Sequence, residues 1–325
     1  MIKDILVKRL LLLFPLLLGI TLISYFLMVL APGDPSSMML DPKIKPADLV
    51  RIKENLGLNK PVIVQYFYWL KNVTQGNFGY SYINGRPVFQ VIVERLPATL
   101  ILMSASLFLT LILTVPLGIL AAVYNRKHID NVITIFTFVG MSIPAFWLGL
   151  MSILFFSLIL GWFPSSGMLD PMRINDSIID RIKDISLHLI LPLLTMTVGN
   201  LAGLTKYMKT GMLNVLNQDY ILAARSRGFS EFFILWKYAF KNAILPIITI
   251  LGLSLPNLVG GSFIIEYIFA WPGMGRLGVD SIFMRDFPVI MGIILVSSAL
   301  IILGNLLADI SYYLVDPRIS YTKRS

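Results

Sequence analysis

The chain has 325 residues, of which 56% are hydrophobic and 14% charged, and its mean hydropathy is +0.78. A soluble domain carries roughly 25% charged residues, so this chain has too few polar side chains to cover a globule in water. The composition indicates a protein embedded in lipid, whose backbone groups are satisfied within helices or a closed barrel. The chain contains no cysteine and 2 histidines, which excludes disulfides, thiol chemistry and a histidine-rich metal site.

Six segments are apolar and long enough to cross a membrane, which takes about 20 residues of helix. The first follows Lys8 and Arg9 and lacks a small-residue cleavage site, so we interpret it as an uncleaved anchor. The third is long for one crossing and contains Ser142-Ile143-Pro144, so we expect it to tilt, to kink or to extend beyond the bilayer. The predicted spans are about 10–31, 98–124, 131–160, 187–205, 243–265 and 287–314.

Basic residues are distributed unevenly between the predicted loops. With a cytoplasmic amino terminus, the inner segments hold 14 Lys and Arg against 5 Asp and Glu, whereas the outer segments hold 13 against 12, and Asp309 within the last span completes the total. The inner segments are 1–9, 125–130, 206–242 and 315–325, and the outer ones are 32–97, 161–186 and 266–286. The net charge of +9 therefore lies on one side, as the positive-inside bias requires, and nucleic-acid binding is not needed to explain it.

The first outer segment is long and carries patterns of local structure. A helical pattern covers residues from Ala47 to Asn55, and an aromatic run extends from Tyr66 to Trp69. Tyr and Trp are enriched where protein meets the lipid headgroups. We expect a small folded element at the outer interface.

The stretch between the fourth and fifth spans predicts two short helices joined at Gly228. Asn217 can cap the first helix with Asp219 in its first turn, and two arginines occupy its last turn before the glycine. Glycine is favoured after a helix because it adopts a left-handed conformation without strain. Ser230 can cap the second helix, with Glu231 in its first turn.

These two helices would form a compact knob, defined here as residues 217–242. Ala223 and Ala224 would allow close packing within it. A knob that projects from the membrane indicates a socket on another protein. The alternative is an amphipathic loop that lies on the headgroups with its arginines facing anionic lipid.

The knob resembles the loop motif of ABC importer permeases, in which Glu-Ala-Ala, three residues and Gly precede a Leu-Pro pair. Here Ala223-Ala224, three residues and Gly228 are followed by Leu245-Pro246. Leu222 replaces the Glu of the general pattern, and Pro246 lies further from the glycine. Both departures are typical of the dipeptide, oligopeptide and nickel permeases.

Other short motifs carry the same resemblance along nearly the whole chain. They are Pro32-Gly33-Asp34-Pro35, Gly76-Asn77-Phe78-Gly79, Arg95-Leu96-Pro97-Ala98-Thr99, Ser142-Ile143-Pro144, Trp162-Phe163-Pro164, Trp271-Pro272-Gly273-Met274-Gly275 and Asp316-Pro317-Arg318. The sequence is most similar to oligopeptide permeases, of the subunit type with a long external segment after its first helix.

This resemblance implies an all-α integral membrane protein with six transmembrane helices in the type I ABC importer permease architecture. It also implies a coupling helix between helices 4 and 5 that docks into an ATPase subunit. The domains would be an anchor with its external segment at 1–95, a permease core at 96–315 and a cytoplasmic tail at 316–325. The residues expected to couple are Leu222, Ala223, Ala224, Arg225, Arg227, Gly228, Ser230 and Glu231.

The resemblance also implies the function and the partners. The chain would form half of the translocation path for peptides in a bacterial plasma membrane, with both termini cytoplasmic. Its partners would be a second related permease, two ATPase subunits, an extracytoplasmic substrate-binding protein and membrane lipid. The chain contains no phosphate-binding Gly-x-x-x-x-Gly-Lys-Ser/Thr motif and would hold no cofactor, so ATP and Mg²⁺ would bind the ATPases. Nickel chelates and glutathione-like solutes remain alternatives to peptides.

Prolines, glycines and polar residues within the spans are candidates for lining or gating the path. We expect Pro116 and Gly118 to interrupt the second span, because broken helices are tolerated beside a cavity. Kinks that serve packing, and hydrogen bonds between helices, are the alternatives. The candidates are Ser104, Pro116, Asn200, Pro246, Pro256, Asn257 and Gly260.

Four residues are expected to have structural roles: Glu266, Asn305, Asp309 and Arg318. Asp309 is the one carboxylate predicted deep in a span, so it should find a partner such as Arg318. A proton-coupled carrier acting alone would need a second such carboxylate, and an intramembrane hydrolase would need a Gly-x-Ser-x-Gly or Ser-His pattern. Gly199 and Gly203 form a small-residue face suited to close helix contact, within this chain or with a partner.

Overall fold

A computed structural model describes residues 2–30, 60–173, 177–244, 247–248, 250 and 263–315, with side chains described between 14 and 306. Within these ranges the chain is helical, apart from loops and one isolated bridge between Tyr80 and Pro87. The first helices are α1 (Ile2–Leu30), α2 (Val62–Thr74), α3 (Val88–Val123), α4 (His128–Ser142) and α5 (Ala145–Ile159, ending in a π-helical turn). Then follow α6 (Ile178–Leu216), α7 (Asp219–Ser226), α8 (231–243, with a π-helical middle), α9 (Phe263–Ile268), α10 (Met274–Phe283) and α11 (Phe287–Val315).

Three described helices, α3, α6 and α11, are each long and apolar enough to cross a membrane. The bent pair α4 and α5 makes a fourth span if it is counted as one. The predicted class, an all-α membrane protein, is therefore confirmed. The total of six spans stays a prediction, because the fifth predicted span, about 243–265, lies mostly outside the described residues.

Helix α2 belongs to the segment predicted to be external, and it packs along α1. The Tyr66 side chain is buried, its Oη lies 3.0 Å from Thr21 Oγ1, and it donates to Leu18 O at 3.3 Å. The aromatic run of the sequence thus lies on a helix held against the first span. The helical pattern of 47–55 lies outside the described residues.

Helix α3 differs from the second predicted span in two respects. It begins at Val88, ten residues before the expected start, because the external segment ends in helix. It also continues through Pro97 and Pro116, so the predicted interruption at Pro116 and Gly118 is wrong. A proline removes one backbone donor, and within a membrane bundle neighbouring groups can satisfy the carbonyl that it frees.

The kink expected in the third span is confirmed between α4 and α5, whose axes differ by 96°. Pro144 is the cause. A proline disfavours helical geometry in the residue before it, and Ile143 accordingly has φ −82° and ψ 125°. The chain turns at this residue and resumes as helix at Ala145.

Helix α6 is longer at both ends than the predicted span 187–205. Its 39 residues give a length of about 58 Å, whereas the hydrocarbon core is about 30 Å thick. Ser177 caps its first turn by accepting a hydrogen bond from Asp180 N. Residues 206–216 of the loop expected at 206–242 are therefore a continuation of this helix.

Glycines allow α6 to approach its neighbours closely near this extension. A Cβ at Gly118 of α3 would lie 2.5 Å from Met208 Cβ, and one at Gly211 would lie 2.8 Å from Ala243 O. By contrast, no described atom would lie within 4 Å of a Cβ at Gly199 or Gly203. The close contact expected at those two residues is thus absent among the described parts of this chain.

We expect Gly118→Ala to destabilise the protein by about 1–3 kcal/mol, because the added methyl overlaps Met208 in a packed interface. The measurement is the melting temperature of the purified protein in detergent. Gly19→Ala is the matched control, since a Cβ there meets open space and alanine favours helix. Equal melting temperatures for the two variants would contradict the close approach of α3 and α6.

Candidate functional site

The knob follows directly from the end of α6. Helix α7 ends in the hydrogen bonds of a Schellman motif: Gly228 N donates to Arg225 O at 2.9 Å, and Phe229 N donates to Ala224 O at 3.4 Å. Gly228 has φ +77°, as the prediction of a left-handed glycine requires. The motif reverses the chain, so α8 returns beside α7.

The caps of the two helices are partly as predicted. Ser230 caps α8 by accepting a hydrogen bond from Phe233 N at 3.4 Å, and Glu231 lies in the first turn. The predicted cap of α7 is wrong: Asn217 ends α6, and Gln218 precedes α7 without a side-chain cap bond. The error arises because α6 continues through the stretch that was expected to be loop.

The inner face of the knob is a small apolar core. Ile221 and Ala224 of α7 are buried there, three residues apart and hence on one face of the helix. Most of the other buried members of this core come from α3, α6 and α8, namely Ala122, Met208, Met212, Ile234, Ala239 and Ala243. Ile247, four residues beyond the end of α8, completes it. This packing fixes the position of the knob relative to α3 and α6.

The outer face of the knob is exposed and combines apolar and cationic groups. Leu222 is 53% exposed, and Ala223, Arg225 and Arg227 are also exposed. Ala223 therefore faces outward while Ala224 packs inward, although both were expected to serve close packing. Gly228, Ser230 and Glu231 lie exposed at the turn.

An ion pair bridges the turn at Gly228, called the elbow here, and joins α7 to α8. Arg225 donates to Glu231 through Nε at 2.8 Å and through Nη2 at 3.2 Å. Both side chains are exposed, so the pair contributes little to stability, with a typical value of about 0–1 kcal/mol. Its geometric effect is to orient one of the two knob arginines.

Sequence reasoning missed several residues of the knob. Tyr220, Phe229 and Phe232 are exposed aromatic side chains around its outer face. Ile221, which anchors it, was also missed. The apolar spacing of Ile221 and Ala224 was the available signal.

A second network surrounds Glu266, whose side chain is fully buried in α9. Its Oε1 accepts from Thr99 Oγ1 at 2.9 Å, and its Oε2 accepts from Gly275 N at 2.7 Å and Arg276 N at 3.1 Å. The carboxylate thereby satisfies free backbone donors at the start of α10. We call these residues the Glu266 network.

Trp271 and Thr99 extend this network to α3. Trp271 Nε1 donates to Ala98 O at 2.8 Å, and Thr99 Oγ1 accepts from Met274 N at 2.8 Å. Glycine is required at 273, where a Cβ would overlap the Glu266 carboxylate and Thr99 Oγ1. The Trp-Pro-Gly-Met-Gly motif thus forms a turn that fits around a buried carboxylate, which supports the structural role predicted for Glu266.

Asp286, which sequence reasoning missed, joins the external segment to the start of α11. Its carboxylate accepts hydrogen bonds from Ser81 Oγ and, at 3.0 Å, from Tyr82 N. Burial, together with smaller effects of Tyr25 and Asp286, raises the pKa of Tyr82 to about 12. This phenol therefore remains neutral at physiological pH.

The path candidates are dispersed in the described structure. Ser104 and Pro116 are exposed on α3, and Asn200 is exposed on α6, where its Nδ2 donates to Met196 O at 3.1 Å. Pro246, Pro256, Asn257 and Gly260 lie outside the described residues. Their roles stay predictions.

The remaining structural candidates are only partly described. Asn305 is exposed on α11, whereas Arg318 and the side chain of Asp309 lie outside the description, so the pairing expected between them is untested. Among the described residues, no three His, Asp or Glu side chains are grouped so that they could hold a metal ion.

Two sequence profiles match the chain. That of the binding-protein-dependent transport system inner membrane component matches residues 114–321, and that of the N-terminal part of such membrane components matches residues 1–103. The oligopeptide transport system permease protein AppB of Bacillus subtilis is 48% identical over 316 residues, which cover 97% of this chain and 98% of that protein. The chain belongs to this family of binding-protein-dependent inner membrane components. It is a permease subunit of an ABC importer.

Two further similarities agree with this family. A putative peptide permease protein of Brucella suis is 38% identical over 317 residues, covering 97% of this chain and 98% of that protein. A chain of the MetNI methionine ABC transporter in an inward-facing conformation matches with a TM-score of 0.53 and 21% identity, over 70% of this chain and 95% of that chain. The latter shows a shared fold. Since family members are transport subunits, the lone carrier and the intramembrane hydrolase are excluded.

In this permease, the Glu266 network should be intolerant of substitution. We expect Glu266→Ala to destabilise the protein by about 3 kcal/mol or more, because it leaves three buried donors unpaired, and Glu266→Gln to cost less. Glu94→Gln is the control, since Glu94 is an exposed carboxylate that binds Arg86. Melting temperatures of the three purified variants in detergent compare their stabilities. A Glu266→Ala variant as stable as the Glu94→Gln control would contradict the structural role of Glu266.

Substitutions of the adjacent residues Ile221 and Leu222 test which side chain holds the knob in place. We expect Ile221→Ala to destabilise the knob by about 2–4 kcal/mol, because Ile221 is fully buried, and Leu222→Ala to leave its fold unchanged. Amide hydrogen exchange of residues 217–243 in the purified permease measures this local stability. Faster exchange in Leu222→Ala than in Ile221→Ala would contradict the assigned faces.

Proposed function

We propose that this permease forms one half of the translocation path of a bacterial peptide importer and is driven by an ATPase subunit that docks on the knob. The supporting observation is the knob geometry, an apolar and cationic face that is exposed but rigidly anchored. Peptide is the proposed solute because AppB is named for oligopeptide transport and the Brucella protein for peptides.

The proposed docking surface consists of the exposed residues among those predicted from the sequence. Leu222 and Ala223 would enter an apolar groove, while Arg225 and Arg227 would lie at its rim. Ala224 acts from beneath, through the core that holds the knob. Headgroup binding by the same arginines is the competing explanation, and it requires no rigid anchor.

The assembly would contain a second related permease, two ATPase subunits that bind ATP and Mg²⁺, and an extracytoplasmic binding protein. The proposed topology has six spans with both termini in the cytoplasm. The knob would then lie on the cytoplasmic side, and the excess of basic residues in the predicted inner segments supports this orientation. Ser104, Pro116, Asn200, Pro246, Pro256, Asn257 and Gly260 remain candidates for the path.

Closure of the ATPases on ATP would displace the two knobs of the assembly. The two ATPase states must contact the knob differently, since otherwise no conformational equilibrium shifts. The displacement would pass to α3 and α6 through the core around Met208 and Met212.

We expect Leu222→Ala to lower the amount of ATPase that co-purifies with the assembled transporter about tenfold, because a central apolar contact is lost. Ile282→Ala is the control, because it removes a similarly exposed aliphatic side chain from α10. Quantitative pull-down in mild detergent measures both. Unchanged recovery with Leu222→Ala would count against docking on this face.

The solute is tested by uptake into cells that depend on this transporter. We expect labelled tri- to pentapeptides to accumulate, and excess unlabelled peptide to compete with them. Competition by nickel chelate or glutathione instead of peptide would replace the proposed solute while leaving the transporter class intact.

A further inference from the structure

Asp130 and Lys209 form an ion pair away from the knob face. Asp130 lies in the first turn of α4 and is 4% exposed. Its Oδ1 accepts from Lys209 Nζ of α6 at 2.6 Å and from Thr134 Oγ1 at 3.3 Å. Its Oδ2 accepts from Arg126 N at 2.8 Å. The carboxylate is thus held by its own turn and by one side chain from a different helix.

The position of Lys209 connects this pair to the knob. Its neighbour Met208 is fully buried in the core beneath Ile221, and a Cβ at Gly118 would lie 3.2 Å from Lys209 N. The turn of α6 that carries Lys209 is therefore the turn on which the knob and α3 both rest. We expect a movement of the knob to move this turn, because only two residues connect the end of α6 to the start of α7.

The position of Asp130 connects the ion pair to the Glu266 network. Helix α4 leads through the bend at Pro144 into α5, where a Cβ at Gly149 would lie 3.3 Å from the Phe269 ring. Phe269 follows α9, which carries Glu266. Continuous contacts therefore lead from the knob, through Lys209 and Asp130, to the Glu266 network.

We propose that the Asp130–Lys209 ion pair is the positioning link that makes α4 follow the knob when the ATPase moves it. The Asp130 carboxylate is buried and Lys209 is partly exposed. A buried charge without its partner is costly, so separation of the two side chains is resisted, whereas apolar contacts between α4 and α6 can slide. The proposal rests on the proposed function, because it assumes that the ATPase acts on the knob.

The first test is made with the complete transporter in proteoliposomes. We expect Lys209→Met to leave ATPase recovery unchanged and to lower peptide uptake per ATP hydrolysed at least about fivefold, a typical coupling effect. Lys209→Arg keeps the charge and should restore most of that ratio. Lys183→Met is the matched control on the same helix, because Lys183 is an exposed lysine 3.9 Å from Asp180.

The second test measures the geometry directly. Because the chain has no cysteine, Asn131→Cys and Asn217→Cys place two spin labels, one on α4 and one at the base of the knob. We expect the distance between the labels to be the same in the nucleotide-free and ATP-trapped transporter. With Lys209→Met the two distances should differ.

The proposal is overturned if Lys209→Met leaves uptake per ATP unchanged, or if the label distance already changes with Lys209 present. It is also overturned if Lys209→Met releases the ATPase, because the pair would then maintain the docking face and not transmit its motion. Failure of the proposed function would be recognised separately, as a lack of ATP-driven peptide uptake in the unmodified transporter.

Discussion

The length of α6 is the constraint on which the arrangement of this permease depends. A helix of about 58 Å cannot be contained in a hydrocarbon core of about 30 Å, so it must extend beyond this core. The projecting end supplies Met208 and Met212 as a platform, and the short helices α7 and α8 fold onto it. Without that platform α7, with eight residues, would be too short to be stable.

The two ends of the molecule are built by different interactions. The knob is held by apolar packing of Ile221 and Ala224, whereas the Glu266 network is held by hydrogen bonds to a buried carboxylate. Apolar contacts tolerate small displacements, while a buried carboxylate with three donors requires fixed geometry. This contrast fits the proposed function, in which an ATPase moves the knob end of the permease.

Local chemistry was the part of the site that could be predicted. Gly228 and Ser230 were identified correctly, because a left-handed turn and a helix cap depend on a few adjacent residues. The cap at Asn217 was wrong because the end of α6 is determined by packing against α3 and α8. For the same reason Pro116, which would break an isolated helix, lies within a continuous one.

The sequence by itself determined the membrane class, the family, the kink before Pro144 and the elbow at Gly228, since composition and short-range backbone restrictions are local properties. Only the tertiary structure decided which alanine of the knob faces outward, that Glu266 caps a helix, and that Asp130 meets Lys209. These depend on contacts between residues distant in the chain. A single sequence carries no direct record of such contacts, because many pairings satisfy the same local pattern.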